Sequence, residues 1–200
     1  MTKIPEDELW ALPLESGFKN KKVLELGNKK NSSGLYRDWY VSRGADYQCL
    51  DWNGQDGAIV VDMGSPIEPQ LVGVADLVTN FGFTEHVYTD QAQCWKNVAW
   101  LSSKIACHLA IVLPHPKHWD HHGVYQPHLE WLEEWCLKNG YEISFAKVNK
   151  DRRRWVNVIS ATRVEPFVEE NYHTPSFDGM YITPPGKRVN KLEKDCGVQP

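Results

Sequence analysis

The 200-residue sequence has no apolar run approaching the length of a membrane span and no CxxC pair among its five cysteines. The first absence argues against a membrane-spanning helix, which needs about 20 consecutive apolar residues. The second removes the spacings most typical of zinc ribbons and redox-active dithiols. Cys49, Cys94, Cys107, Cys136 and Cys196 are scattered and odd in number, which suits a reducing compartment better than a disulfide framework. The opening residues, Met-Thr-Lys-Ile-Pro-Glu-Asp-Glu, are acidic and lack the apolar stretch of a secretory signal, so a soluble, cytoplasmic protein is expected. A basic excess is also lacking, with 22 Lys and Arg against 26 Asp and Glu. A formal charge of −4 tilts against a surface built to hold nucleic acid. Neither an internal repeat nor a low-complexity tract is visible. What is present is a globular composition, 42% hydrophobic and 24% charged, with nine tryptophans that need a core. This length suits one compact domain.

Along the chain, short apolar strands alternate with amphipathic helices. Lys22 to Leu26 reads as a first strand, followed by a polar loop in which Ser32 or Ser33 is placed to cap a helix over about Leu35 to Ser42. Tyr47 to Asp51 is a second strand, and Ala58 to Val61 a short third one ending at Asp62. A fourth runs from Val74 to Thr79 and opens into the loop Asn80-Phe81-Gly82-Phe83-Thr84-Glu85-His86. The stripe Ala92, Trp95, Val98 and Leu101 predicts a helix over Thr89 to Leu101. Ala106 to Leu113 is nearly all apolar, as in a strand covered on both faces. A helix over Pro127 to Lys138 closes at Asn139-Gly140. Tyr141 to Val148 and Arg154 to Arg163, joined by a short turn, predict an antiparallel hairpin. Residues 1–165 thus form one domain with a lead-in over 1–20. Residues 166–200 read as an extended tail or cover, a candidate for dimer contacts.

The candidate site begins with Val23-Leu24-Glu25-Leu26-Gly27, a strand leading into a glycine turn, and with Asp51 closing the next strand. That order is the first half of a nucleoside-binding α/β domain, in which a carboxylate at the second strand end accepts from both ribose hydroxyls. Lys29 and Asn31 occupy places where a dinucleotide-binding turn wants glycine, which disfavours a pyrophosphate and with it a nicotinamide cofactor. The densest polar run is His115-Pro116-Lys117-His118-Trp119-Asp120-His121-His122. Imidazole and carboxylate suit zinc or iron. The run also resembles the His-x-His-x-Asp-His motif of metallo-β-lactamase-like hydrolases, but Pro116 replaces one histidine and the strand order differs. A metal-dependent hydrolase using His115, His118, Asp120 and His121 is therefore the minority reading, and no metal is expected. Asp151-Arg152-Arg153-Arg154 reads as a solvated hairpin turn rather than an RNA patch.

Taken together, Val-Leu-Glu-Leu-Gly, Asp51, the Asn80–His86 loop and the terminal hairpin resemble the class I S-adenosylmethionine-dependent methyltransferases over about Lys22 to Arg163. The resemblance implies a Rossmann-like three-layer α/β/α sandwich whose mostly parallel seven-stranded sheet has the order 3-2-1-4-5-7-6. It implies S-adenosylmethionine as cofactor and S-adenosylhomocysteine as product. Glu25, Gly27 and Asn28 would lie near the methionine end, Asp51 on the ribose, Trp52, Asp62 and Met63 about the adenine, and Asn80 and Phe81 beside the cofactor. His86, with Glu85, or His118 would serve as base. His118, Trp119, His122 and Tyr125 would wall a pocket for a small polar acceptor, with methyl transfer to its oxygen or nitrogen. Tyr36 or Trp39 would face the sulfonium. A non-catalytic cofactor-binding module is the other reading of the same fold. Phe83 is an extra residue against the usual Asn-Phe-Gly-(Thr/Ser)-Glu-His loop.

Overall fold

The central apolar strands bury residues on both faces, and the edge strands extend them into one seven-stranded sheet. The computed structural model describes residues 17–28, 30–31, 34–119, 122–151 and 154–182. Strands β1 (Lys22–Leu26), β2 (Asp46–Asp51), β3 (Ile59–Val60), β4 (Leu77–Phe81) and β5 (His108–Pro114) are parallel. The hairpin β6 (Tyr141–Asp151) and β7 (Arg154–Arg163) is inserted so that β7 lies antiparallel to both β5 and β6. The sheet order is therefore 3-2-1-4-5-7-6, as the resemblance implies.

Period-two alternation sorts the strands between two cores. Leu24 and Leu26 of β1 enter the larger one, with Leu50, Val78, Leu109 and Ile111. Helices α2 (Gln91–Leu101) and α3 (Leu129–Lys138) cover it with Trp95, Val98, Trp131 and Trp135. Fully burying one large apolar side chain contributes about 1.5–3 kcal/mol, and each indole N–H also finds an acceptor. Trp95 donates to Gln91 Oε1 (3.2 Å), Trp131 to the Ser176 carbonyl (3.0 Å) and Trp135 to the Tyr172 hydroxyl (3.3 Å). On the other face, Val23, Leu77, Phe81, Val112 and Val158 pack with Phe18 and with Tyr36 and Tyr40 of the short helix α1 (Tyr36–Val41). Among the described residues no helix is long and apolar enough to cross a membrane.

Several boundaries differ from the sequence reading. β4 starts at Leu77 and runs through Asn80 and Phe81, so these two are strand residues with a strand's rigidity. Strand β5 starts two residues later, at His108, since Ala106 adopts a positive φ of 62°, and it runs one residue further, to Pro114. Asp90 caps α2 by accepting the Gln93 N–H (2.9 Å), which fixes its start at Gln91. Pro127 ends a short strand, Tyr125–Pro127, that pairs with Met180–Ile182, and α3 begins only at Leu129. The described part of the tail, through Phe167, Tyr172 and Phe177, packs against the larger core. The Ser32 and Ser33 caps, Asp120, His121, the Arg152-Arg153 turn and Cys196 lie outside the described residues. The four described cysteines are buried. Burial pushes the Cys107 thiol up to about 12 and those of Cys94 and Cys136 up as well, which keeps them protonated and inert.

Candidate active site

Strand order reverses between β1 and β4, and ligands of open α/β sheets bind beyond the carboxyl ends of the strands at such a point. On the β1–β2 side, Gly27 turns the chain with φ 77° and donates its N–H to the Leu50 carbonyl (2.7 Å). The next N–H, of Asn28, goes to Asp51 Oδ2 (2.9 Å), and that of Asn53 to Asp51 Oδ1 (3.4 Å). Asp51 is thereby held at the crevice floor, with each oxygen keeping a further lone pair. The Asn28 amide donates to the Gln55 carbonyl (3.0 Å) and to Asp56 Oδ2 (2.9 Å), and Arg37 donates to the Asp56 carbonyl (3.0 Å). These bonds fasten the β2–β3 loop over the crevice edge. Trp52 stands next to Asp51 with 46% of its surface exposed.

The turn after Gly27 departs from the path of a glycine-rich dinucleotide-binding turn. It folds back as a two-residue antiparallel pair, Lys30–Asn31 with Gly34–Leu35, before α1 starts at Tyr36. Among the described residues no helix N-terminus follows the glycine directly, where a pyrophosphate cradle would need one.

Glu25 is fully buried and accepts a hydrogen bond from the Tyr47 hydroxyl. Burial first, and then Glu25, push the pKa values of Tyr47 and Tyr40 upward, so both phenols stay neutral. Tyr36 is buried edge-on to Phe81 in the smaller core, and Trp39 lies under the Arg43 guanidinium (4.0 Å). Asp62 forms the turn after β3, accepting from the Gly64 N–H (2.9 Å), the Ser65 hydroxyl (3.0 Å) and the Thr89 hydroxyl (3.4 Å). Met63 buries its side chain in the larger core, and its carbonyl accepts from Asn97 (3.0 Å). Gly64 permits this turn to touch the start of α2, since a Cβ there would lie 1.7 Å from Thr89 Oγ1 and 2.9 Å from Asp90 N. Gly64→Ala is expected to destabilise the fold by about 1–3 kcal/mol. Thr89→Gly should recover part of that loss in a double-mutant denaturation cycle, since the approach to Asp90 N remains, and simple additivity of the two changes would refute the side-chain contact.

The β4–β5 side carries the other half. Asn80, buried at the end of β4, donates to Thr84 Oγ1 (2.9 Å) and accepts the Thr84 N–H (3.3 Å), which bends the chain into the turn Thr84–His86. Gln91 clamps the same turn from α2, donating to the Thr84 and Val87 carbonyls (both 2.7 Å). Phe83, the extra residue, is buried in the larger core, so the insertion is absorbed there. The turn presents Glu85, only 1% exposed, with its Oε1 3.6 Å from Nε2 of both His86 and His122.

The histidine-rich run divides into two groups. His115 Nδ1 bonds Asn157 Oδ1 (2.8 Å), and His118 stacks on Trp155 (3.6 Å between centroids), so both belong to the hairpin side. His122 instead joins Glu85 and His86, and it stacks on Trp119 (3.8 Å between centroids). Among the described residues the ligand-spaced group is Glu85, His86 and His122, while Asp120 and His121 of the set considered from sequence lie outside the described residues. Tyr125 is half-buried against the larger core. Gln126 went unnoticed in the sequence, yet it is buried and donates to the Trp119 and His122 carbonyls (both 2.9 Å), fixing the loop. Its only local signal is a polar residue within an otherwise aromatic and proline-bearing stretch.

No protein-family model matches the sequence, and no curated relative does. Solved structures do resemble the fold. The 1,6-didemethyltoxoflavin-N1-methyltransferase of Burkholderia thailandensis, bound to 1,6-didemethyltoxoflavin and S-adenosylhomocysteine, superposes with a TM-score of 0.55 at 9% identity, over 74% of this chain and 72% of that one. The N-methyltransferase NodS of Bradyrhizobium japonicum gives 0.54 at 13% identity, over 80% and 94%. Magnesium protoporphyrin IX methyltransferase of Synechocystis, with bound S-adenosylmethionine, gives 0.53 at 16%, over 78% and 76%. With the sheet order and terminal hairpin, these likenesses establish that the chain has the Rossmann-like fold of the class I methyltransferases.

Proposed function

We propose that the protein is an S-adenosylmethionine-dependent methyltransferase acting on an oxygen or nitrogen of a small polar acceptor. The observation that carries this reading is the β1–β2 crevice. Asp51 is oriented there by two backbone N–H groups, beside an exposed tryptophan, where the turn is shaped for a nucleoside rather than a pyrophosphate. The residues fit the cofactor. Asp51 would accept the ribose hydroxyls, Trp52 would cover the adenine with Asp62 at its edge, and Gly27 and Asn28 would line the path to the methionine end. The likeness to methyltransferases holding S-adenosylmethionine or S-adenosylhomocysteine supports the same assignment. A metal-dependent hydrolase receives no such support.

When bound, the cofactor supplies an electrophilic methyl group on a sulfonium. The chain's own part is alignment, which can lower a barrier by about 7–11 kcal/mol when geometry is good. Asn80 and Gln91 fix the turn that holds Glu85 and His86 at the mouth of β4, while Gln126 fixes Trp119 and His122 opposite. Where the nucleophile is a hydroxyl, His118 would take its proton. Trp119, Tyr125 and His118 form the wall on the acceptor side.

Titration calorimetry with S-adenosylhomocysteine tests the reading. Saturable one-site binding is expected, with reduced nicotinamide dinucleotide giving no heat of binding. Absence of S-adenosylhomocysteine binding, with or without binding of the dinucleotide, would overturn it.

A further inference from the structure

We infer that Glu85, His86 and His122 bind one first-row divalent transition-metal ion at the mouth of β4. Glu85 Oε1 lies 3.6 Å from Nε2 of His86 and 3.6 Å from Nε2 of His122, and one ligand atom from each residue falls within 4.8 Å of the others. Direct N–H···O bonds cluster near 2.7–3.2 Å, so these groups face one another without closing to hydrogen-bond distance. Ligand atoms sharing a tetrahedral ion with bonds of about 2.0–2.2 Å stand about 3.4 Å apart. The two Glu–His spacings are close to that edge, and the His–His spacing stays within 4.8 Å.

The surroundings point the same way. The Glu85 side chain has no exposed surface, while those of His86 and His122 keep 26% and 31%. The group is thus closed behind the carboxylate and open in front of the imidazoles, as in catalytic sites with three protein ligands and free positions. The loop bearing His122 is seated on Glu85 through Gly123, whose φ is 71° and whose added Cβ would lie 2.5 Å from Glu85 Cγ. The Val124 N–H donates to the Glu85 carbonyl (2.7 Å), and Trp119 backs the His122 ring. Two imidazoles with one carboxylate suit zinc, iron, cobalt or manganese rather than magnesium or calcium.

Binding of the ion stands on these ligands alone, whereas its role rests on the methyltransferase reading. Beside the transferred methyl, such an ion selects an acceptor that offers it an oxygen, because a bound hydroxyl ionises more readily.

The test uses the full-length, untagged protein, stripped with a chelator and titrated with Co²⁺ and then with Zn²⁺. One equivalent of each is expected, with ligand-field absorption for Co²⁺ and Zn²⁺ retained through desalting by elemental analysis. His122→Ala and Glu85→Gln should each weaken binding by more than the roughly 10–100-fold that losing an outer-sphere partner costs. If Glu85→Gln fails to fold by near-UV circular dichroism, His122→Ala, at a part-exposed loop position, decides the matter. Absence of stoichiometric metal, or a His122→Ala variant that binds like wild type, overturns the proposal. S-adenosylhomocysteine calorimetry on the same samples separates the two readings. Cofactor binding without metal defeats this inference alone, and metal binding without cofactor supports it while defeating the proposed function.

Discussion

Replacing Arg163 by methionine should lower the melting temperature by on the order of 10 °C, the largest stability effect expected of a single substitution in this fold. Arg163 ends β7 and is only 1% exposed. Its guanidinium donates to the Ala99 carbonyl (3.3 Å) and the Ser102 carbonyl (3.0 Å) at the end of α2, and to the Asn139 carbonyl (2.6 Å) at the end of α3. One side chain therefore closes both helices that cover the larger core, where terminal carbonyls have no partner within the helix. A positive charge also suits the negative end of each helix dipole. The Tyr141 ring lies 4.0 Å from the guanidinium carbon and adds a cation–π contact. Removing the group leaves buried carbonyls unpaired, and breaking such a network destabilises by about 3–5 kcal/mol. Lysine should not rescue it, because a compact ammonium lacks the planar fork that reaches the carbonyls of both helices. Calorimetric melting of Arg163→Met and Arg163→Lys checks this, and shifts below about 2 °C would show that the helix ends are held by other means.

The second large effect is on cofactor affinity. Asp51→Ala should weaken S-adenosylhomocysteine binding by roughly 100-fold or more, since two charge-assisted bonds to the ribose are worth about 1.5–3 kcal/mol each. Asp51 also accepts the Asn28 N–H, so the alanine variant loosens the turn as well as removing the ligand. Asn28→Ala provides the comparison. It keeps the backbone bond to Asp51 but cuts the ties to Gln55 and Asp56, and should cost affinity far less. Equal affinity of wild type and Asp51→Ala in calorimetry would remove Asp51 from the site.

The elements most legible in the sequence were those fixed by local pattern. Alternating apolar strands, the β6–β7 hairpin and the glycine after β1 stand where hydrophobic period and turn residues put them. Two classes of feature were not legible. Strand ends depend on partners, so β4 reached Phe81 because β1 and β5 offer it bonding edges. The division of the histidine run depends on tertiary contacts far along the chain. His118 goes to Trp155 and His122 to Glu85, and nothing in the spacing of residues 115–122 separates them. Arg163 illustrates the same limit, being a strand-end cation by sequence and a helix cap in space.

The insertion of β7 between β5 and β6 has a consequence for biosynthesis. On a ribosome adding about 5–20 residues per second, β5 emerges seconds before the strand that will pair with its outer edge. Until then a nearly all-apolar strand offers unpaired N–H and C=O groups to any neighbouring nascent chain. The sheet cannot be completed from the N-terminus onward, because its penultimate position is filled by the last strand to be made. Chaperone dependence, rather than marginal stability of the finished molecule, is then what this topology would impose on a cell producing the protein quickly.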